Sequence, residues 1–346
     1  MFELHHLTAL EQWEWLHSGR ISPRELVEHY LGRIARVNLD IGAFTLVDGD
    51  RALARADALP ALVAPTAPLW GIPYADKELV RRAGQRTTFG SRLFADHVPT
   101  ETDELAVHLD TAGAISLGAT AAPEFGLPSY TESLVAAPAR NPYDPARGAG
   151  GSSGGAAAAV AAGLLPFAPG SDGGGSIRIP AAACGLVGLK PSRGRVPAGS
   201  GLEHLAGLVV TGPIARTVGD AALMLDALVA AAPWRHATRA PIDPPLASGA
   251  PHPHSGPLLG AALRGEGRYQ IAVTTSTPWE SSVELTLDAE ARWALDEAIA
   301  SFAALGHGID ALTLDPEPDY ARHFRSVWMA GASRIPAHTP DELAHL

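Results

Sequence analysis

The chain has little cysteine, a deficit of basic residues and no long apolar segment. Cys184 is the only cysteine among 346 residues, which excludes an intramolecular disulfide and a cysteine-based zinc site. The most apolar stretch, residues 156–167, has about twelve residues, against the roughly 20 that span a bilayer. Lys and Arg number 26 against 37 Asp and Glu, a net charge of −11. This balance disfavours nucleic acid and anionic membranes as partners. No secretory signal is visible, so we expect a cytoplasmic protein.

The chain is rich in apolar residues, glycine and proline. Apolar residues make up 46% of the sequence, and there are 36 Gly and 29 Pro, which indicates a sizeable core joined by many tight turns. Apolar runs typical of strands alternate with helical patterns. The sequence therefore predicts an α/β fold, a single large α/β/α domain with a mixed central sheet covered by helices on both faces.

Four regions can be distinguished within this one predicted domain, residues 1–346. An N-terminal helical segment covers residues 1–60 and includes the capping box Ser22-Pro23-Arg24-Glu25. The core, 70–230, contains a buried strand that ends at Asp76-Lys77. A loop rich in Pro, Gly and His follows over 232–262, and a C-terminal βα portion covers 263–346.

Two glycine- and serine-rich clusters in succession are the most informative feature. The first is Gly148–Gly155, before an Ala-rich helix, and the second is Gly170–Ser176, after a predicted strand over 164–168. Glycine lets backbone N–H groups approach a ligand closely, so Gly173-Gly174-Gly175-Ser176 could form an oxyanion hole. The first cluster formally contains the G-x-S-x-G nucleophile motif but lacks the strand that must precede it. A phosphate cradle and a plain connecting loop stay open as alternatives.

These clusters and the segments around them resemble the amidase signature family. The resemblance lies in the first cluster, in the second with its extension to Pro180, and in the segment Cys184–Pro191. Gly71-Ile72-Pro73-Tyr74-Ala75-Asp76-Lys77 is similar to the lysine motif of that family. The resemblance implies the amidase signature fold and an amidase that cleaves small carboxamides without a cofactor or metal. It leaves room for a homodimer.

Carried over position by position, the resemblance implies a catalytic triad of Lys77, Ser152 and Ser176. Ser176 is the implied nucleophile, and Ser152, after a cis peptide bond, relays its proton to neutral Lys77. Because lysine normally titrates near about 10.4, Lys77 must be desolvated or flanked by positive charge to act as a base. Without the resemblance, Lys77 would be interpreted as a surface charge and Ser152 as a helix cap.

Other residues of the second cluster receive supporting roles. Gly173, Gly174 and Gly175 are expected to bind the oxyanion or substrate together with Ser153, which also fits a helix N-cap. Asp172 either orients the oxyanion loop or closes an Asx-turn, and Arg178 either pairs with a carboxylate or binds substrate.

Histidine and cysteine give no metal site in the sequence. The close histidine pairs are His5-His6 and His252/His254, neither with a third ligand in view, so we expect both pairs to be solvated. Cys184 is expected to be a small buried hydrophobe without thiolate activation.

The sequence departs from the family pattern in three places. Gly173 stands where a larger side chain is more usual, and Ala119 where a lysine is common. The chain also ends at Leu346, whereas family members are usually longer, so residues 263–346 are interpreted as a shortened C-terminal portion. Two alternatives follow: the glutamine-hydrolysing subunit of a tRNA-dependent amidotransferase, and a catalytically silent binding protein or fragment of the same fold. Against the first, Gly201-Leu202-Glu203-His204-Leu205 does not supply the Ser-Ser-Leu-Asp block which that subunit predicts.

Overall fold

The computed structural model describes residues 3–196, 207–230, 257–265, 267–280, 282–315 and 317–335. The α-helices in these ranges are α1 (Ala9–His17), α2 (Pro23–Ile41), α3 (Gly49–Leu62), α4 (Glu104–Thr111), α5 (Gly154–Ala161), α6 (Arg178–Ala183), α7 (Val218–Ala230), α8 (Pro257–Arg264), α9 (Ala289–Ala304) and α10 (Tyr320–Ala332). The strands are β1 (Phe44–Val47), β2 (Pro73–Lys77), β3 (Ile115–Thr120), β4 (Arg140–Asn141), β5 (Asp144–Gly148), β6 (Phe167–Asp172), β7 (Val187–Gly188), β8 (Val210–Ala215), β9 (Gln270–Val273) and β10 (Gly308–Ala311).

The chain divides into two compact units, which are described separately. The first comprises Met1–Leu263 with Arg334–Leu346, and the second Arg264–Ser333. Helices and both parallel and antiparallel strand pairs occur, which confirms the predicted mixed α/β class. In the described part of the chain no helix combines the length and apolar character needed to cross a membrane.

The N-terminal segment is built from helices with well-formed caps. At α2, Ser22 Oγ accepts from the N–H of Glu25, and the Glu25 carboxylate accepts from the N–H of Ser22, so the predicted capping box is confirmed. The helix ends at Ile41 and is followed by the C-cap Gly42, which has a φ of 63°. The helical prediction for residues 1–60 is wrong at Phe44–Val47, which forms β1 instead. This β-prone segment pairs antiparallel with β3, and the tertiary pairing overrides the helical context.

The first sheet has the order β1-β3-β2, and it places the end of β2 in the interior. Strand β2 runs parallel to β3, with Lys77 opposite Thr120. Every residue of β2 is buried. The lysine at the end of this strand therefore lies inside the protein rather than in solvent.

The second sheet, β6-β8-β7, is antiparallel and carries the second glycine cluster. The predicted strand over 164–168 is shifted, because β6 begins at Phe167 and continues through Gly170-Ser171-Asp172. Six consecutive pairs with β8 hold this segment extended in spite of its Pro and Gly content. Helix α5 packs beside β6, and its residues from Gly154 to Val160 are all buried.

A helix begins inside the region predicted as a loop. Residues 232–256 of that predicted loop, including His252 and His254, lie outside the described residues. From Pro257 onward the chain forms α8, whose first turn is held by Asp226 of α7: its carboxylate accepts from the N–H groups of Leu258 and Leu259. The loop prediction is therefore wrong at its C-terminal end, because a distant carboxylate caps this helix.

The second unit is a small βαβ arrangement. Strands β9 and β10 pair in parallel, and α9 lies between them in sequence. The predicted strand over 269–274 and helix over 287–305 are confirmed with slightly shorter bounds, whereas β10 was not expected. None of the described residues of this unit is buried.

Candidate active site

Lys77 is the centre of the site, because its side-chain nitrogen contacts two serine hydroxyls. The residue is 2% exposed. Its Nζ lies 2.9 Å from Ser152 Oγ and 2.7 Å from Ser171 Oγ. The two hydroxyls come from different elements, the loop before α5 and strand β6. A buried lysine costs desolvation energy, and these two contacts are part of what offsets it.

Ser152 is held in a loop that requires glycine. The peptide bond between Gly151 and Ser152 is cis, as the resemblance implied. A side chain at Gly151 would come within 2.6 Å of the backbone carbonyl of Tyr130. Thr131 braces the same loop, since its hydroxyl donates to Gly150 O at 2.8 Å and accepts from the N–H of Gly154 at 3.1 Å. The hydroxyl of Ser152 is thereby fixed beside Lys77 with 2% exposure.

Ser176 reaches the same region from the second glycine cluster. It lies between β6 and α6 and is 7% exposed. Its carbonyl accepts a hydrogen bond from the N–H of Ser153 at 3.2 Å, which ties the second cluster to the first. The two serines that the resemblance singles out are thus on two loops joined by a backbone hydrogen bond, with Lys77 in contact with the first.

Asp172 organises the loop that carries Ser176. Its carboxylate accepts from the N–H groups of Gly175 at 2.7 Å and Ile177 at 3.2 Å, and from the guanidinium of Arg178 at 2.9 Å on each oxygen. Burial alone would raise the pKa of Asp172, but the hydrogen bonds from Arg178, Ile177 and Gly175 outweigh it and hold the pKa below its ordinary value. Of the two alternatives for Asp172, the contacts match an orienting role. Arg178 pairs with this carboxylate and keeps about half of its side chain, 55%, exposed.

The remaining predicted site residues are placed as follows. Gly175 has a φ of 125°, and its N–H already serves Asp172. The oxyanion prediction therefore rests on the N–H groups of Gly173, Gly174 and Ser176. The Ser153 hydroxyl makes no capping hydrogen bond, contrary to the cap interpretation. It instead accepts from the N–H of Ser171 at 3.3 Å and donates to Ser171 O at 3.4 Å.

Ser171 is the residue that sequence reasoning missed. It stands next to Asp172 in the second cluster but was given no role, because the strand was predicted to stop before it. Side chains of adjacent strand residues face opposite sides of the sheet. A strand prediction that included Asp172 would therefore have placed Ser171 on the opposite face from Asp172, where a separate partner is expected for it. Cys184 lies buried, and burial raises the pKa of its thiol to about 11, as expected for an inactive cysteine.

Comparison with known proteins assigns the chain to a family. The family model named Amidase matches residues 25–342. The amidase-family protein AmiB2 of Mycobacterium tuberculosis is 41% identical over 313 residues, which cover 89% of this chain and 62% of AmiB2. This chain belongs to the amidase signature family.

The chain is also similar to an amidotransferase subunit and to solved structures of other enzymes. A glutamyl-tRNA(Gln) amidotransferase subunit of Thermus thermophilus is 42% identical over 210 residues, covering 61% of this chain and 44% of that protein. Among solved structures, 6-aminohexanoate cyclic dimer hydrolase aligns with a TM-score of 0.81 at 30% identity, over 96% of this chain and 66% of that one. A bacterial aryl acylamidase aligns with a TM-score of 0.78 at 26% identity, over 98% and 70%. The amidase signature fold is therefore confirmed, and the chain spans about 62% of the length of AmiB2.

Proposed function

We propose that this chain is an amidase that hydrolyses a small-molecule carboxamide to a carboxylic acid and ammonia or an amine. The observation that carries the proposal is the buried Lys77, whose Nζ lies 2.9 Å from Ser152 Oγ. Lysine is almost never fully buried without a partner, and a lysine enclosed with serine hydroxyls suits proton transfer from a nucleophile. Membership of the amidase family supports the choice of a carbon–nitrogen bond as the target.

In the proposed reaction, Ser176 is the nucleophile and Ser152 relays protons. Neutral Lys77 takes the hydroxyl proton of Ser152 while Ser152 takes that of Ser176, and Ser176 Oγ forms a bond to the amide carbonyl carbon. The tetrahedral intermediate then breaks its C–N bond, and the proton returns through Ser152 to the departing nitrogen. Water, activated by the same relay, cleaves the resulting ester and releases the acid.

The negative oxygen of the tetrahedral intermediate needs fixed donors. We assign this role to the N–H groups of Gly173, Gly174 and Ser176, because the Gly175 N–H already donates to Asp172, whose contact with Arg178 helps to hold the loop in place. Donors that are fixed before the reaction stabilise the developing charge without reorganisation. Removing one such donor in other enzymes costs roughly 10²–10³ in kcat.

Covalent labelling with a fluorophosphonate tests the nucleophile and its activation together. We expect intact-mass analysis to find a single adduct on the purified chain, mapped to Ser176, and no adduct on Ser176→Ala or Lys77→Ala. Ser326→Ala is the matched control, because Ser326 is exposed on α10 and its hydroxyl donates to Arg322 O of its own helix. An adduct that maps elsewhere, or labelling that survives Lys77→Ala at the same rate, would refute the relay.

Turnover of amides then separates the amidase from the two alternatives. The 42% identity to a tRNA-dependent amidotransferase component favours glutamine hydrolysis as the second candidate function. Ammonia release from several simple amides supports the amidase, whereas release from glutamine alone supports the amidotransferase role. A folded chain that neither reacts with fluorophosphonate nor hydrolyses any amide would be the silent binding protein or fragment.

Location, partners and domain organisation belong to the same proposal. The low cysteine content favours a reducing compartment, so we propose the cytoplasm, to be checked by cell fractionation of the natural protein. A homodimer is also proposed, and sedimentation at several protein concentrations distinguishes it from a monomer. We retain the proposal of one amidase domain over residues 1–346, for which limited proteolysis that releases a stable piece near residue 264 would be contrary evidence.

A further inference from the structure

Three metal-binding side chains meet outside the candidate active site, at the N-terminal segment. His5 Nδ1 lies 3.2 Å from His29 Nε2 and 3.2 Å from Glu3 Oε2. The three donor atoms all lie within 4.8 Å of one another. The sequence predicted that the His5-His6 pair is solvated and has no third ligand. That prediction is wrong for His5, which is 7% exposed, because the fold brings His29 of α2 beside it.

The fold holds the two histidines in place independently of any ion. Arg216 donates to His5 O at 2.6 Å and to Leu7 O at 2.5 Å, which fixes the backbone at His5 and directly after it. The ring itself packs against Gly163, where an added Cβ would lie 2.8 Å from His5 Cδ2. His29 is carried by the regular helix α2. Two of the three donors therefore belong to a rigid arrangement.

Two of the three separations between the donor atoms match those around a tetrahedral ion, and the third lies within 4.8 Å. Zn–N bonds of about 2.0–2.1 Å in a tetrahedron place two ligand atoms about 3.3 Å apart, close to the two observed separations of 3.2 Å. Two imidazoles and one carboxylate suit zinc and other first-row transition ions better than Ca²⁺ or Mg²⁺, which prefer oxygen ligands. The Glu3 side chain is 44% exposed, so water can occupy the fourth position. We propose that Glu3, His5 and His29 bind a divalent transition-metal ion, with Zn²⁺ as the best match.

Hydrogen bonding alone satisfies this cluster poorly. A neutral imidazole carries one N–H, so His5 Nδ1 can donate to only one of its two neighbours at 3.2 Å. An ion accepts lone pairs from all three donors at once. The positive charge of Arg33 disfavours binding of a cation, since Arg33 Nη1 lies 3.6 Å from Glu3 Oε2. Its guanidinium is held by Gly163 O and Ala162 O, so this positive charge stays nearby and weakens binding.

The proposed ion is structural. Glu3 and His5 belong to the short 3₁₀ turn Leu4–His6 and its N-cap, and His29 lies within α2. The ion would thus tie this 3₁₀ turn to α2, and it takes no part in the chemistry proposed for Lys77, Ser152 and Ser176. Failure of the amidase assignment would leave this proposal intact, and the reverse also holds.

Zinc titration of the whole chain tests the site. After removal of bound metal with a chelator, we expect calorimetry to show one Zn²⁺ per chain, and affinity to fall at least about tenfold in His29→Gln and in Glu3→Gln. His6→Gln is the control, because the His6 ring lies tilted beside that of His5, with ring centroids 4.3 Å apart, and is not one of the three proposed ligands. Co²⁺ should give the intense visible absorption of a tetrahedral site in the control and not in His29→Gln.

Thermal unfolding provides a second readout. A ligand that binds only the folded state raises the melting temperature, so Zn²⁺ should stabilise the wild-type chain and His6→Gln but not His29→Gln. His29 and Glu3 are partly exposed, which keeps both variants foldable even where a His5 variant is not. A wild-type chain that binds no Zn²⁺, or a His29→Gln variant that binds it as tightly as the wild type, would overturn the proposal.

Discussion

Replacing Asp172 by asparagine should destabilise the protein at neutral pH. The Asp172 carboxylate accepts backbone hydrogen bonds and a two-point contact from Arg178. An asparagine retains one acceptor oxygen and turns an NH₂ group toward the other donors. Breaking a buried ion pair by removing one partner costs about 3–5 kcal/mol. Because Arg178 is half exposed and can turn to water, we expect a smaller loss of about 2–3 kcal/mol.

The dependence of this effect on pH separates lost charge from general damage. The folded-state pKa of Asp172 is lowered, so its charge contributes stability that is complete above the unfolded-state pKa of about 3.9 and is lost as the pH falls through the folded-state value. The difference between wild type and Asp172→Asn should therefore be constant near neutrality and shrink below about pH 4.

Urea unfolding followed by tryptophan fluorescence, at pH 7 and at steps down to about pH 3, measures the free energy of unfolding of both proteins. Asp319→Asn is the control, because Asp319 also pairs with an arginine, Arg322, but is exposed beside α10. It should leave the stability unchanged within error. Equal stability of wild type and Asp172→Asn at pH 7, or a difference that stays the same at acid pH, would refute this account of the loop.

Three further outcomes follow from the site. Ser171→Ala should lower kcat about 10²-fold while the protein stays folded, because it removes a hydroxyl from Lys77 Nζ; a kcat within twofold of wild type would contradict the assignment. Turnover should decline toward acid pH as Lys77 becomes protonated, and a flat kcat/KM profile between about pH 5 and 9 is the contrary result. Gly155→Ala should destabilise the folded protein by about 1–3 kcal/mol, since the added Cβ would lie 2.3 Å from Ala121 N. Gly148→Ala is the control and should leave the stability unchanged, because the nearest atom to its Cβ would be 4.0 Å away. Melting temperatures of the two variants measure the difference.

Local chemistry was the part of the fold that the sequence predicted well. The capping box at Ser22 depends on residues three apart, and its contacts form as expected. Prediction was wrong where distant contacts decide the local state. Residues 169–172 look like a glycine-rich loop, yet pairing with β8 makes them the end of a strand. Phe44–Val47 becomes β1 because β3 is available as a partner.

The same distinction explains the candidate site. Residue chemistry alone left Lys77 as a surface charge and Ser152 as a cap, and only the resemblance to a family joined them. The structure places them 2.9 Å apart although they are 75 residues apart in sequence. Ser171 and His29 were missed for the same reason, since their partners come from elements far away in the chain. No pattern of neighbouring residues encodes such contacts.

The position of Lys77 depends on the opposite face of its own strand. Side chains alternate along β2, so Tyr74 and Asp76 face away from the lysine, and there both contact the buried Arg82. Arg82 also makes a two-point contact with Asp110 of α4, at 2.8 and 2.9 Å. A buried ion-pair network is poor evidence for net stability but can fix one arrangement of the backbone. Because Asp76 directly precedes Lys77, this network anchors the end of β2. A lysine whose backbone is fixed in this way can contact two fixed hydroxyls without reorganisation. We therefore interpret the Arg82 network as the support that keeps Lys77 aligned with Ser152.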